Sequence, residues 1–261
     1  MKHVIALLYV LFALASSAQA QRNEILAPNI ASLQVIANND WMSLPVITLD
    51  NGEYVTIGFD ELSHVVHRYC YKIEHCEADW TKSEELFESD FVNGFATGNT
   101  IDDAEQSINT NTLYTHYAFT LPNDKCAPRL SGNYCVTVYD ENNDSQPVLT
   151  ACFMIVEPGM KVGLSATSNT DIDINHSHQQ VSMSVDYGGL RVTDPATQIR
   201  TVILQNERWD NAVVNAKPQY VRSDGLMWDH NRDLIFPAGN EYRKFEMLDV
   251  THTTMGLESI K

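Results

Sequence analysis

The stretch RYCYKIEHC, Arg68–Cys76, places an aromatic ring or an isoleucine at every second position. Side chains of a β-strand alternate between its two faces, so one face carries Tyr69, Tyr71, Ile73 and His75, and the other carries Cys70, Lys72, Glu74 and Cys76. This alternation predicts a strand with one buried face. Glu77-Ala78-Asp79 then reads as a turn, after which we expect Trp80 to anchor the next loop.

Similar strand patterns recur at spacings of roughly ten residues, and no long helical periodicity interrupts them. Such a chain predicts an all-β fold of tandem immunoglobulin- or fibronectin-III-like antiparallel β-sandwiches. Asp50-Asn51-Gly52 has the composition of a hairpin turn between the segments on either side of it. The other predicted strands are residues 53–62, 113–122, 132–140, 149–158, 179–187, 197–206 and 241–248.

Glu157-Pro158-Gly159 is the strongest candidate boundary between domains. We therefore expect a first sandwich over residues 21–157 and a second over residues 158–261, the latter either complete or cut short.

The first twenty residues have the three parts of a secretory signal peptide. Lys2 gives a positive start, Val4–Ala15 an apolar core, and Ala18-Gln19-Ala20 a small-x-small cleavage site, so we expect cleavage after Ala20. No cysteine follows the cut to carry a lipid anchor, and no later stretch is apolar enough to span a bilayer. The sequence predicts an exported protein without membrane insertion of its own.

The formal net charge of −17 bears on the choice of partner. Binding to polyanions needs a basic footprint, so nucleic acid and anionic membrane surfaces are excluded as expected partners. A basic protein surface or a cation fits this charge better.

Cys70, Cys76, Cys126, Cys135 and Cys152 give an odd number of cysteines in an exported chain. Cys135 and Cys152 lie in two predicted strands joined by a short polar loop. Two interpretations stay open: a disulfide across that hairpin, or buried free thiols.

His75, Glu77 and Asp79 are the residues that most resemble a reactive cluster. A metal site needs three or four converging ligands, and acid–base catalysis needs a second positioned group, neither of which the sequence supplies. The motifs of zinc proteases, serine hydrolases and nucleotide-binding loops are absent from the sequence. We predict no catalytic residues, no metal and no cofactor. A hydrolase that uses Asp79 with a distant carboxylate is the enzymatic alternative.

Several segments in order resemble one family, the plug protein of the type IX secretion system of Bacteroidota. They include YKIEHCEADWTKSE with its HCxxDW turn, the strand NTLYTHY and the strand SGNYCVTVYD, and the likeness runs from about Ala31 to Glu246. The matching segments are residues 31–50, 58–62, 71–84, 91–123, 131–140, 204–212 and 236–246.

This resemblance implies a tandem β-sandwich that is not an enzyme. It implies a location in the periplasm at the inner face of the outer membrane. It further implies that the protein binds the outer-membrane translocon barrel from the periplasmic side and closes its pore when no substrate is in transit. Members of that family usually continue well beyond 261 residues.

The polar, irregular stretch from Trp80 to Asn109 is the candidate contact loop, since long insertions between strands often carry binding surfaces. Its candidate contact residues are Trp80, Phe87, Phe91, Asn93, Phe95 and Asn99. The alternative function is a secreted carbohydrate-binding or adhesin module that would use exposed tryptophan and tyrosine rings. Its candidate tryptophans are Trp41, Trp80, Trp209 and Trp228.

Overall fold

Strands supply nearly all of the regular structure in the computed structural model, which describes residues 23–143 and 146–239. One short helix, α1 (Glu88–Phe91), lies among the first twelve strands. Those strands are β1 (Glu24–Ile25), β2 (Ile30–Ala37), β3 (Val46–Thr48), β4 (Val55–Glu61), β5 (Tyr69–Cys76), β6 (Val92–Gly94), β7 (Asn99–Thr100), β8 (Asp103–Gln106), β9 (Thr115–Leu121), β10 (Cys126–Pro128), β11 (Gly132–Asp140) and β12 (Gln146–Val156).

The remaining described chain adds seven strands, the helix α2 (Pro195–Gln198) and a 3-10 turn at Arg232–Leu234. The strands are β13 (Lys161–Thr167), β14 (His178–Asp186), β15 (Val202–Gln205), β16 (Arg208–Val214), β17 (Tyr220–Val221), β18 (Gly225–Trp228) and β19 (Ile235–Pro237).

Two compact units divide the chain at Gly159 and Met160. The short segment Asn206–Ala212 groups with the first unit, and the rest of the chain from Met160 onward forms the second.

Two large sheets build the first unit, and β6 and β10 form a separate two-stranded sheet. Sheet one has the order β1-β12-β11-β5-β7, and sheet two has the order β2-β4-β9-β8. Aromatic side chains join them: the ring of Tyr69 in β5 meets Phe59 of β4 at 5.4 Å and Tyr117 of β9 at 5.0 Å, both edge to face. The core between the sheets is therefore that of an antiparallel β-sandwich, which confirms the predicted all-β class.

The predicted core face of β5 is confirmed at three of its residues, and the neighbouring strand β11 buries its own alternate residues in the same way. Tyr69, Tyr71 and Ile73 are each 1% exposed. Tyr134, Val136 and Val138 of β11 are fully buried.

The predicted hairpin at Asp50-Asn51-Gly52 is wrong, although the turn itself is present. The strand before the turn, β3, pairs in parallel with β12 of sheet one. The strand after it, β4, pairs with β2 and β9 of sheet two. The turn thus carries the chain from one sheet to the other, because β3 completes the edge of sheet one beside β12.

The second unit is organised around β14. Its sheet has the order β13-β14-β18-β17, and β19 also pairs with β14. Val181, Met183 and Val185 of β14 face a core that contains Trp228, whose indole N–H donates a hydrogen bond of 2.7 Å to the Ala216 carbonyl. In the predicted strand 197–206 only Val202–Gln205 is extended, since α2 occupies Pro195–Gln198. The predicted signal peptide, with Ala18 and Ala20, and the predicted strand 241–248 lie outside the described residues.

Candidate partner-binding surface

The candidate contact loop begins at a tight turn after β5. The Trp80 backbone adopts a left-handed conformation with φ of 66°, and its N–H donates a hydrogen bond to the Glu77 carbonyl. The Asp79 carboxylate accepts hydrogen bonds from the N–H and the hydroxyl of Thr81, at 3.1 and 2.6 Å. The Trp80 side chain is 8% exposed, and its ring meets the Trp209 ring edge to face at 6.4 Å, within the first unit.

His75 holds this turn against the sheet. Its Nδ1 lies 2.8 Å from the Ser83 hydroxyl, and its Nε2 lies 3.1 Å from the Ser131 carbonyl oxygen. The Ser83 hydroxyl donates to the Glu77 carboxylate. In a serine-hydrolase triad the carboxylate binds the histidine and the serine faces the substrate. Here the carboxylate binds the serine, which is buried, so the geometry is that of a network that fixes the loop.

Phe87 stands at the start of the single turn α1. Its backbone N–H donates to the Asp90 carboxylate at 2.9 Å, and its carbonyl accepts from the Asp90 N–H. Phe91 ends the turn and is buried in the core of the sandwich. The turn is therefore fixed from inside, while the Phe87 side chain remains 78% exposed.

Carboxylate side chains precede and follow Phe87 in the sequence. Glu84, Glu85, Glu88 and Asp90 are all exposed, whereas Leu86 packs against the core. Lys82, the basic residue at the start of this segment, has its ammonium 2.6 Å from the Glu74 carboxylate. An apolar ring with an acidic rim fits a partner surface that pairs an apolar pocket with basic side chains.

Phe95 is presented on an equally well-fixed backbone. Its N–H donates to the Lys125 carbonyl at 2.9 Å, and its carbonyl accepts from the Asn99 amide at 2.7 Å. The next residue, Ala96, is 2% exposed and accepts a hydrogen bond from the Ile73 N–H. The Phe95 side chain is 70% exposed. Exposed aromatic rings on an ordered backbone are the typical anchors of protein interfaces.

The six candidate contact residues separate into two groups. Phe87, Asn93 and Phe95 are exposed, and we call them the Phe87–Phe95 surface. Trp80, Phe91 and Asn99 are buried and hold the loop that carries this surface.

The loop is also less irregular than its composition suggests. Three short strands lie in it: β6 pairs with β10, β7 with β5, and β8 with β9. The local sequence does not mark which side chains of the loop are exposed, because distant partners such as Ile73 and Lys125 hold its Phe95–Ala96 backbone.

Several of the described histidines form pairs with carboxylates. His67 lies 2.6 Å from Glu61, His116 lies 2.7 Å from Asp60, and His178 lies 2.8 Å from Asp173. Within residues 23–143 and 146–239, no group of three histidine, cysteine or acidic side chains is arranged to hold a metal ion.

The tryptophans bear on the alternative of carbohydrate binding. Trp80 and Trp228 are buried, and Trp209 is half-buried. Trp41 is 76% exposed. A stacking platform for sugars at Trp80, Trp209 or Trp228 is therefore unsupported.

All five cysteines carry thiols. In the described part of the chain, no helix combines the length and apolar character needed to cross a membrane.

Comparison with known proteins relates this geometry to a family. Residues 30–157 match the model of the Type 9 secretion system plug protein 1st domain. The chain is also similar to a hypothetical protein from Parabacteroides merdae of known crystal structure, with 40% sequence identity and a TM-score of 0.84. The alignment covers 92% of this chain and 60% of that protein, so the chain spans less than two thirds of its length. The comparison with curated proteins gave no match.

The match covers both sheets of the first unit apart from the short strand β1, and it includes the turn at Trp80 and the Phe87–Phe95 surface. It confirms the resemblance inferred from the HCxxDW turn and the two strands NTLYTHY and SGNYCVTVYD. Residues 30–157 of this chain belong to the type IX secretion system plug family, as its first domain.

Proposed function

We propose that this protein is a periplasmic plug that binds the outer-membrane translocon barrel of the type IX secretion system and closes its pore when no substrate is in transit. The match of residues 30–157 to the first domain of the plug family carries this proposal. The predicted signal peptide, with cleavage after Ala20, supports export to the periplasm, where the inner face of the outer membrane can be reached.

The proposed contact is the Phe87–Phe95 surface. A plug needs a rigid surface that fits the rim of a pore, and it needs no reactive group. Phe87 and Phe95 meet this requirement, since their rings are exposed while their backbones are held by hydrogen bonds to Asp90, Lys125 and Asn99. The plug family favours this structural role over catalysis.

The acidic rim around Phe87 supports a partner with basic side chains. Glu84, Glu85, Glu88 and Asp90 would speed association with such a partner at low salt. Raising the ionic strength should therefore slow binding more than it speeds dissociation.

Site-specific cross-linking tests the contact. A photoreactive amino acid at position 87 or 95 should cross-link to the translocon barrel in cells that express the full-length plug. Position 108 is the matched control, because Ile108 is 82% exposed in the connection between β8 and β9 and is not part of the Phe87–Phe95 surface. Cross-links at position 108 but at neither 87 nor 95 would show that the contact lies elsewhere on the protein. If no exposed position cross-links to the translocon barrel, the proposed partner is refuted.

Pore closure has its own test. Deletion of the gene should make the outer membrane permeable to large solutes, and the wild-type gene should restore the barrier. The double variant Phe87→Asp, Phe95→Asp should fold normally, because both side chains are exposed, yet should fail to restore the barrier. Full restoration by this variant would contradict the proposed surface.

A further inference from the structure

We propose that Cys135 and Cys152 form a disulfide that links the two central strands of sheet one. This disulfide forms by thiol–disulfide exchange with an external disulfide. This proposal rests on strand register and does not depend on the proposed plug function. The sequence leaves open whether these cysteines are paired or are free thiols, and the proposal selects the disulfide.

The register places the two residues directly opposite each other. Cys135 of β11 pairs with Cys152 of β12 in an antiparallel ladder. Opposite residues in such a ladder form either hydrogen-bonded pairs or closer non-hydrogen-bonded pairs. The distinction matters, because the latter bring the two side chains nearer to each other.

The direction of the Cys152 N–H shows which of the two kinds of pair Cys135 and Cys152 form. It donates a hydrogen bond of 2.7 Å to the Asn23 side chain, on the side of β12 that faces β1, away from β11. The Met154 N–H, two residues further, likewise points away from β11 to the Pro45 carbonyl. Cys135 and Cys152 therefore form a non-hydrogen-bonded pair, with an expected Cα separation of about 4.5 Å. Disulfides accept separations of about 4.4–6.8 Å, so the backbone need not move.

The two thiols already interact and differ in access. A hydrogen bond from the Cys152 thiol lowers the pKa of Cys135. Cys135 is half-buried, whereas Cys152 is 4% exposed. Cys135 is thus the thiol that an external disulfide reaches first, and Cys152 is placed to resolve the intermediate.

The exchange proceeds in two steps. The Cys135 thiolate attacks one sulfur of the external disulfide, the S–S bond of that disulfide breaks, and its other sulfur leaves as a thiolate. The Cys152 thiolate then attacks the Cys135 sulfur of the mixed disulfide and expels the second half of the reagent. Two electrons pass to the external disulfide, which is reduced to two thiols. The protons of Cys135 and Cys152 pass to solvent or to those thiols.

Cys76 is the competing partner. It lies on β5 opposite Asn133, and so diagonal to Cys135. Burial raises the pKa of Cys76 to about 12, and its thiol donates to the Glu74 carbonyl. A buried, protonated thiol at a diagonal position is a poor competitor for the sulfur of Cys135.

Peptide mapping of the full chain separates these pairings. The protein is incubated with oxidised glutathione, alkylated and digested with trypsin without reduction. Residues 130–161 form one tryptic peptide that contains both Cys135 and Cys152, and residues 73–82 form another that contains Cys76. The expected product is the 130–161 peptide lighter by two hydrogen atoms and resistant to alkylation.

Three results would overturn the proposal: a cross-link between peptides 73–82 and 130–161, glutathione adducts that never resolve, or full alkylation of both cysteines. Oxidation should also raise the melting temperature of the first unit by roughly 5 °C. Cys152→Ser should abolish the rise, whereas the control Cys70→Ser, on another strand of the same sheet, should keep it. The mapping of the wild-type chain decides the question even if a variant fails to fold.

Discussion

The ring of Tyr71 stacks on the ring of Phe119, with centroids 4.4 Å apart and planes 12° from parallel. Tyr71 belongs to β5 of sheet one and Phe119 to β9 of sheet two, so this contact joins the two sheets. The Tyr71 hydroxyl accepts a hydrogen bond of 2.9 Å from the Asn123 amide. One residue thus contributes both an aromatic contact and a polar contact to the same interface.

Truncation of this residue should separate the two contributions. We expect Tyr71→Ala to lower the free energy of unfolding by about 3–5 kcal/mol, since it removes a buried aromatic ring. Tyr71→Phe keeps the ring and loses the hydrogen bond to Asn123, which should cost about 1 kcal/mol. Urea denaturation followed by circular dichroism measures both. Equal losses for the two variants would show that the stack itself contributes nothing.

Alkaline pH should unfold the first unit. Burial raises the pKa of Tyr71 to about 12 and also raises the pKa values of Tyr69 and Tyr134. The unfolded chain binds these protons less tightly, so their contribution to stability is complete below about pH 10 and is lost as the pH rises through the folded values.

The measurement is a titration that follows tyrosinate absorbance and circular dichroism together. The buried tyrosines should ionise only as the fold is lost. Ionisation of all eleven tyrosines near their ordinary pKa, with the fold intact, would contradict the expectation.

Gly132 should be irreplaceable for two reasons that a control can separate. Its φ of 145° lies in a region that disfavours side chains, and a Cβ there would collide with the His75 ring. We expect Gly132→Ala to cost more than about 2 kcal/mol through strain and the displaced imidazole. Gly52 also has a positive φ, of 72°, but has open space around it. Gly52→Ala should therefore cost only about 1–2 kcal/mol. Equal melting temperatures for the two variants would refute the role assigned to His75.

Trp80 should matter for stability in a way that Trp41 does not. Trp80→Ala removes a ring that is 8% exposed and should lower the free energy of unfolding by about 3 kcal/mol. Trp41→Ala removes a ring that is 76% exposed, and surface changes of this kind stay within about 0.5 kcal/mol. Thermal unfolding of both variants provides the comparison. An unchanged melting temperature for Trp80→Ala would show that the ring does not anchor the loop.

The sequence predicted the sandwich because period-two alternation records which side chains face a core. Tyr69, Tyr71 and Ile73 show this directly. The same pattern is silent about strand partners, and so the short strand β3 was paired wrongly: its three residues fit either sheet equally well. Neither could it reveal that Cys70 and Cys76, on the outer face of β5, are also buried.

The sequence located the candidate surface only to the loop from Trp80 to Asn109, and it did not show which side chains of that loop are exposed. The backbone of Phe95 is held by a hydrogen bond to Lys125, thirty residues further along the chain, and local composition does not encode such a contact. The alignment of Cys135 with Cys152 similarly depends on a bulge between Val138 and Tyr139. One residue more or less in that ladder would turn one cysteine to the opposite face.

The crossing of β3 has a mechanical consequence. The chain leaves sheet two after β2, pairs with β12 in sheet one, and returns to sheet two as β4. Pulling the two layers apart would therefore load the covalent backbone on both sides of β3 in addition to the apolar core. A domain connected in this way should resist shear between its layers and unfold as one block.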